Sequence, residues 1–330
     1  MAASAKYFGQ QPVGGILASG RYGIDLFFVI SGFIIAIISL EGPRLLPAVS
    51  AREFFARRFT RIVPLMWIAI IAFMALRLGG RGEWMGQDYL RALLLLPWGT
   101  LQPSHIWTLR QEMIFYLLFA ATMLTGRRWR FALALWVLGA FVAAPLLKYS
   151  PATIFDPVRL LFSPVNIEFA AGLVLAGLWL RRTRAFRVRL PVEPLIVLAA
   201  LSGIAFWVSS AVFDLVGFSR GLGSALLLMP VVFLAIHVEC PPGPLQRIGE
   251  MLGNASYSIY LFHPPIVSAL LGAWARLALA TPAWIVVLGC GIASAAAGVA
   301  IHFVIERPLI AALRRRFGPR TELRKAHPAG

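Results

Sequence analysis

Charged residues are scarce in this sequence, and acidic residues are the scarcest. Only 14% of the 330 residues are charged, with 14 acidic against 31 basic side chains, whereas soluble domains contain about 25% charged residues. Hydrophobic residues make up 59% of the chain, and the mean hydropathy is +0.77. This composition excludes a single soluble core and indicates a polytopic membrane protein.

Cysteine is also rare, and metal-binding patterns are missing. The two cysteines, Cys240 and Cys290, cannot form a disulfide framework or a thiolate metal cage. No His, Asp or Glu cluster in the sequence has the spacing of a zinc site or a catalytic carboxylate pair. We therefore expect no bound metal and no redox chemistry. The N-terminus also lacks the ordered regions of a signal peptide.

Long apolar runs are the main feature that the sequence does contain. About nine reach the roughly 17–25 residues that a spanning helix needs. The run 88–99 is shorter and contains Pro97, so we interpret it as a half-helix or an interfacial segment. The predicted fold class is all-α, with spans at 23–40, 60–78, 107–125, 131–147, 160–180, 194–211, 222–238, 254–272 and 283–303.

The basic residues indicate an orientation in the membrane. A net charge of +17 would suggest a nucleic-acid partner in a soluble protein, but here 21 of the 31 Lys and Arg residues lie in one alternate set of loops. The positive-inside rule places that set in the cytoplasm. We expect membrane lipid and no nucleic acid as a partner. The predicted regions are an extracytoplasmic segment 1–22, a membrane domain 23–305 and a basic cytoplasmic tail 306–330 with the C-terminus inside.

The third predicted span carries two polar side chains on one face. Glu112 and Tyr116 are four residues apart and therefore adjacent on a helix. A carboxylate at the centre of a span costs roughly 2.5–3.5 kcal/mol or more, which makes it a functional candidate. Glu112 would hold a catalytic imidazole, orient an acceptor hydroxyl or relay a proton. The structural alternative is a buried Glu112 paired with Arg110 or Arg91, and we favour the functional interpretation.

A basic cluster lies where the second predicted span meets the cytoplasm. Arg58 and Arg61 are three residues apart and project from one face, with Arg57 beside them. The guanidinium fork matches phosphate oxygens, which suits the phosphates of coenzyme A. From spacing alone, an ordinary positive-inside cluster is favoured. Pro64 then fits as a kink in the helix.

Two groups in the first predicted span have alternative roles. Asp25 lies near the outer end, where a structural pair with Arg21 is slightly favoured over a catalytic role. Ser31, Gly32 and Phe33 combine two small residues with an aromatic one, and small residues commonly let helices approach closely. Helix packing is therefore the favoured interpretation of these three residues.

His263 lies near the middle of a predicted span, before two prolines. Pro264 leaves the carbonyl of Tyr260 without its helical donor, and Pro265 does the same for Leu261. Such a defect needs polar neighbours, so a structural histidine is favoured and an acid–base role is the alternative. His105 is interpreted as a loop or interface residue.

Five motifs in order resemble the acyltransferase 3 family, which comprises bacterial integral-membrane O-acyltransferases. They are Gly23-Ile24-Asp25-Leu26-Phe27-Phe28-Val29-Ile30-Ser31-Gly32-Phe33-Ile34-Ile35, Arg57-Arg58-Phe59-Thr60-Arg61-Ile62-Val63-Pro64, Trp107-Thr108-Leu109 through Glu112 and Tyr116, Gly253-Asn254-Ala255-Ser256-Tyr257-Ser258-Ile259-Tyr260-Leu261-Phe262-His263-Pro264, and Ile305-Glu306-Arg307-Pro308.

The resemblance implies a fold of ten spans and assigns roles to the candidate residues. It associates the Arg58/Arg61 pair with acyl-CoA binding, which makes that interpretation the favoured one, and suggests that residues 31–33 line the donor tunnel. The catalytic candidates are Glu112, Tyr116, His263 and Asp25; the donor-binding candidates are Arg57, Arg58, Arg61, Ser31, Gly32 and Phe33. The family begins with a helix bearing an Arg and a catalytic His, which this sequence does not contain, so we expect one spanning helix upstream of Met1.

The resemblance also implies an activity. We expect a multi-pass protein of the bacterial inner membrane that moves an acyl group, with acetyl as the expected one, from cytoplasmic acyl-CoA to a hydroxyl of an extracytoplasmic saccharide or lipid-linked glycan. A separate extracytoplasmic transferase is a candidate partner. The alternatives are a transporter or flippase of lipid-linked saccharide, which inverted repeats would favour, and a catalytically inactive membrane scaffold. Acyl-CoA binding would distinguish the enzyme from both.

Overall fold

The structure is a computed structural model that describes residues 21–42, 44–81, 85–125, 128–146, 157–181, 191, 193–215, 217–238, 242–277 and 281–317. Within these ranges the chain is almost entirely helical, which confirms the all-α prediction. The helices are α1 (Arg21–Ser39), α2 (Ala51–Arg81), α3 (Gly86–Leu94), α4 (Trp107–Met123), α5 (Trp129–Leu146), α6 (Pro157–Leu161), α7 (Val165–Arg181), α8 (Glu193–Leu215), α9 (Gly217–Ala235), α10 (Pro244–Arg276), α11 (Ala283–Ile301) and α12 (Arg307–Phe317).

Four shorter elements complete the described chain. Strands β1 (Leu40–Glu41) and β2 (Leu46–Pro47) pair antiparallel between α1 and α2. A 3₁₀ turn, Ser104–Ile106, leads into α4, and a π-helical segment, His302–Glu306, joins α11 to α12. The helix therefore continues across residue 306, where the predicted basic tail begins. Most of the predicted segment 1–22 and residues 318–330 lie outside the described residues.

Helices cover most of each predicted span. Within the described residues, four helical segments are long and apolar enough to cross a membrane, judged by length and composition. They are Ala51–Gly79, Pro157–Arg181, Pro244–Arg276 and Ala283–Arg316. Shorter apolar stretches lie in α1, α5, α8 and α9. Helix α2 has 31 residues and is about 46 Å long at 1.5 Å per residue, which exceeds the roughly 30 Å of a bilayer core. The predicted short segment 88–99 overlaps α3, which has only 9 residues.

Two glycines bring α1 and α7 into backbone contact. A Cβ added to Gly32 would lie 2.1 Å from the carbonyl oxygen of Phe169, and one added to Gly172 would lie 2.1 Å from that of Val29. Real Cβ atoms essentially never approach closer than 3.0 Å, so neither position has room for a side chain. This contact confirms the packing interpretation of Gly32, because small residues let helix backbones meet.

Stacked aromatic rings connect this helix pair to α4 and α2. The rings of Phe115 on α4 and Phe169 on α7 are nearly parallel, with centroids 3.9 Å apart. Phe28 of α1 packs against Phe169 at 4.9 Å, and Phe119 of α4 packs against Phe54 of α2 at 5.2 Å. Pairs with centroids about 4.5–7 Å apart, such as the latter two, contribute about 0.5–1.5 kcal/mol each beyond the area they bury. They hold α4, which carries Glu112 and Tyr116, between α2 and the α1/α7 pair.

Candidate active site

One face of α4 carries polar side chains at every fourth residue. Thr108, Glu112 and Tyr116 are buried on a helix that is otherwise mostly apolar. Residues four apart lie above one another on a helix, so the three side chains form a line about two turns long. Each side chain contacts a different neighbouring helix, and we call this line the polar face of α4.

Glu112 and Tyr116 form a buried carboxyl–phenol pair at the centre of the polar face. The hydroxyl of Tyr116 donates a hydrogen bond to the Glu112 carboxylate, as the i, i+4 spacing predicts. Their exposed fractions are 5% and 2%. The hydroxyl of Ser31 on α1 interacts with the same carboxyl group. A carboxylate so enclosed can exchange a proton only with groups or substrates that enter the site.

Arg58 of α2 reaches this pair. Its guanidinium carbon lies 5.7 Å from the centroid of the Tyr116 ring, and only 7% of the residue is exposed. Arg61 is exposed and near enough to act electrostatically on both Arg58 and Glu112. The two arginines thus bring positive charge from the end of α2 to the polar face. Arg57 lies on the exposed surface instead, in an ion pair with Glu53 of the same helix.

The alternative partners of Glu112 are engaged elsewhere. Arg91 forms an ion pair with Asp88, with 2.8 Å between Nη1 and Oδ1. Arg110 donates hydrogen bonds to the carbonyls of Leu96 and Gly99, both at 3.2 Å. Residues two apart point to different sides of a helix, so Arg110 and Glu112 project in different directions. The described contacts of Glu112 are instead with Tyr116 and Ser31, so the functional interpretation of Glu112 stays the favoured prediction.

The three consecutive residues Ser31, Gly32 and Phe33 point to different surroundings. Ser31 faces Glu112, whereas Gly32 is closed off by the backbone of α7. Phe33 is partly buried and packs edge-on against Trp179 of α7, with ring centroids 6.4 Å apart. Of the three residues, Ser31 alone is brought to the carboxyl–phenol pair.

Asp25 is buried near the first residues of α1, about one to two turns before Ser31. The hydroxyl of Ser224 on α9 donates a hydrogen bond to its Oδ2 at 3.2 Å, and its exposed fraction is 6%. The side chain of its predicted partner, Arg21, lies outside the described residues. Six residues separate Asp25 from Ser31, which is about 9 Å along the helix.

Two imidazoles face the carbonyls that the prolines of α10 set free. His263 Nδ1 lies 2.7 Å from the Tyr260 carbonyl oxygen, and the ring of His105 interacts with the Leu261 carbonyl. The predicted need of this defect for polar neighbours is confirmed. Since a carbonyl only accepts, Nδ1 of His263 carries the proton and its Nε2 presents a lone pair. Burial, and then the imidazole of His263, lowers the pKa of His105 to about 4.

Tyr260 joins these histidines to the polar face of α4. Its hydroxyl shares a hydrogen bond with that of Thr108 and donates to the backbone carbonyl of His105. Its ring lies 5.7 Å from that of His105 and stacks on Phe27 of α1 at 6.3 Å. Sequence reasoning missed Thr108 and His105, although Thr108 is four residues before Glu112 and therefore on its face.

A second polar network, also missed from the sequence, holds α4 against α6 and α7. Gln111 is fully buried and donates to the Leu160 carbonyl at 3.0 Å and to Asn166 Oδ1 at 2.9 Å. Asn166 and Trp136 both donate to the Leu161 carbonyl, at 2.8 and 3.0 Å. This network caps the broken helix end before Pro164 and fixes the rotation of α4. In the described part of the chain, no group of three or more His, Cys, Asp or Glu side chains is placed to hold a metal ion.

Comparisons with known proteins show the family to which the chain belongs. Residues 2–303 match a family described as an acyltransferase domain. The exopolysaccharide production protein ExoZ of Rhizobium meliloti is 31% identical over 315 residues, covering 90% of this chain and 92% of ExoZ. Nodulation protein 10 of Rhizobium leguminosarum is 27% identical, covering 76% of this chain and 72% of that protein.

Longer relatives match over part of their length. The peptidoglycan O-acetyltransferase OatA of Listeria monocytogenes is 25% identical, covering 76% of this chain and 45% of OatA. The chain therefore spans about half of the peptidoglycan O-acetyltransferases that it matches. No solved structure matches the chain. The family match covers nearly the whole sequence, and the protein is thus a membrane acyltransferase that belongs to the acyltransferase 3 family.

Proposed function

We propose that this protein moves an acetyl group from cytoplasmic acetyl-CoA to a hydroxyl of an extracytoplasmic saccharide. The observation that carries the proposal is the buried contact of Arg58 with Tyr116, whose hydroxyl donates a hydrogen bond to Glu112. This contact brings two groups together. The arginines Arg58 and Arg61 suit the phosphates of CoA, and the Glu112 carboxylate can accept the proton of an attacking hydroxyl.

The direction of transfer follows from the loop charges. With the predicted nine or so spans and the Arg-rich loops in the cytoplasm, the C-terminus would lie on the cytoplasmic side of the bacterial inner membrane. In that arrangement Arg58 lies near the cytoplasmic end of α2, and α4 begins at the outer face. Thr108, Glu112 and Tyr116 then follow each other inward, so the acceptor would approach from Thr108 and the donor from Arg58.

Histidine chemistry is available on the acceptor side. The Tyr260 carbonyl holds the proton of His263 on Nδ1, an arrangement that orients an imidazole and leaves Nε2 able to accept a proton. We propose that His263 assists the acceptor hydroxyl from that side. Gly32 and Phe33 support the donor site by packing α1 against α7, and Asp25 anchors the outer part of α1 to α9.

The acceptor class is inferred from the relatives. Their names refer to exopolysaccharide production and to peptidoglycan O-acetylation, and both glycans are hydroxyl-rich and lie outside the cytoplasmic membrane. We propose direct transfer to such a glycan. The rival, acyl delivery to a separate extracytoplasmic transferase, requires a second protein for any ester to form on the glycan.

Deletion of the gene in its own host tests this function. The deletion strain should lose base-labile acetyl groups from one surface glycan, and the wild-type gene should restore them. A Glu112→Gln gene expressed at the same level should fail to restore them, while Glu306→Gln, a change at another buried carboxyl, should succeed. Loss of the glycan itself from the surface would instead indicate a flippase.

A further inference from the structure

The proposed reaction loses and gains a proton on opposite sides of the membrane. The acyl–sulfur bond of CoA breaks and an acyl–oxygen bond forms, while the acceptor hydroxyl loses a proton outside and the CoA thiolate gains one inside. If each side exchanged protons only with its own solvent, each turnover would equal the outward movement of one positive charge. A potential of 100 mV, negative inside, would oppose that movement by a factor of about 50.

The carboxyl–phenol pair lies between the acceptor side and the donor side and has groups that can pass a proton from one to the other. Such a transfer would remove the opposition by the membrane potential. Tyr116 donates to Glu112 and also contacts Arg58, so the phenol touches both the carboxylate and the donor-side cation. Tyr116 lies about 6 Å further along α4 than Glu112, toward the end that we assign to the cytoplasm. Both groups are buried, which limits exchange with bulk water.

Other polar groups surround the pair without interrupting it. Ser31 of α1 faces the carboxyl group, and Arg61 of α2 adds a second positive charge. Tyr257 and Tyr260 of α10 are near enough to interact electrostatically with Glu112. The hydroxyl of Tyr257 donates to the Ile62 carbonyl at 2.8 Å, so it is engaged away from the pair.

We propose that Glu112 and Tyr116 return the acceptor proton to the CoA thiolate, which makes transmembrane acyl transfer electroneutral. The proposal rests on the proposed function. The Glu112 carboxylate takes the hydroxyl proton as the acyl–oxygen bond forms. The Tyr116 phenol gives its proton to the departing thiolate, held near Arg58, and is reprotonated by Glu112. The products are the acyl ester outside, CoA thiol inside and an unchanged site.

Proton counting in sealed proteoliposomes tests the proposal. Vesicles are loaded with glycan isolated from the deletion strain and a pH-sensitive dye, and labelled acetyl-CoA is added outside. We expect fewer than about 0.2 protons released into the lumen per ester formed, and an initial rate that changes less than about twofold when a potential is imposed. Release of about one proton per ester by the wild-type protein would overturn the relay. Complete lack of ester formation would contradict the proposed function itself.

A matched pair of tyrosine variants adds a second readout. Tyr116→Phe removes the phenol proton but leaves Glu112 as a base, so its residual activity should release about one proton into the lumen per ester. Tyr89→Phe removes another buried phenol, on α3 near Arg77, and should keep the wild-type stoichiometry. A Tyr116→Phe protein with wild-type rate and stoichiometry would also overturn the relay.

Discussion

The close contact between α1 and α7 predicts that a single methyl group added at Gly32 will disturb the Glu112–Tyr116 pair, although Gly32 does not touch that pair. In Gly32→Ala the new Cβ would lie 2.1 Å from the Phe169 carbonyl oxygen, and restoring the 3.4 Å of ordinary contact needs about 1.3 Å of separation. Overpacking of this kind costs about 1–3 kcal/mol of folding free energy. Ser31 is the next residue on α1, so the same shift would move its hydroxyl away from Glu112.

We therefore expect Gly32→Ala to lose activity as well as stability. A displacement of about 1 Å at a catalytic site can lower a rate by about 10²-fold. Acetyl transfer to isolated glycan and the midpoint of thermal unfolding would be measured on purified protein. Gly23→Ala is the matched control, since nothing lies within 4 Å of a Cβ at that position of the same helix. A Gly32→Ala protein with wild-type midpoint and rate would show that the close contact of α1 with α7 does not position Ser31.

Two further changes separate donor binding from packing. Replacing both Arg58 and Arg61 with Ala should weaken binding of a CoA analogue by at least about tenfold, since each charge-assisted hydrogen bond is worth about 1.5–3 kcal/mol. Replacing both Arg44 and Arg52 with Ala is the control and should leave the affinity unchanged. Equal affinities of the two double variants, measured by calorimetry, would contradict the assignment of Arg58 and Arg61 to the donor site. Gln111→Leu should lower the free energy of unfolding by about 1–3 kcal/mol for each buried acceptor left unpaired, and an unchanged unfolding midpoint would argue against that role.

Features fixed by local geometry could be predicted from the sequence. The contact of Glu112 with Tyr116 follows from a spacing of four residues on one helix. The carbonyl freed by Pro264 lies one turn earlier on the same helix, so its pairing with His263 was also accessible. Helix positions followed from apolar runs long enough to span a bilayer.

Features that depend on how distant segments pack could not be predicted. The hydroxyl of Tyr260 binds the backbone of His105 from 155 residues away, and nothing local marks that contact. Asp25 accepts a hydrogen bond from Ser224, 199 residues further on, and no local pattern marks that contact either. Ser31 and Gly32 are adjacent in sequence yet face different helices, because successive residues on a helix point about 100° apart.

Labelled-acetyl transfer by purified protein carrying Glu112→Gln is the decisive test of Glu112 as the group that accepts the proton of the acceptor hydroxyl. Glutamine keeps the shape of the side chain and still accepts the hydrogen bond from Tyr116, but it cannot take up a proton. With acetyl-CoA and glycan from the deletion strain, we predict a rate at least about 10²-fold below wild type, with unchanged CoA affinity and unfolding midpoint. A turnover close to that of the wild-type protein would contradict the account.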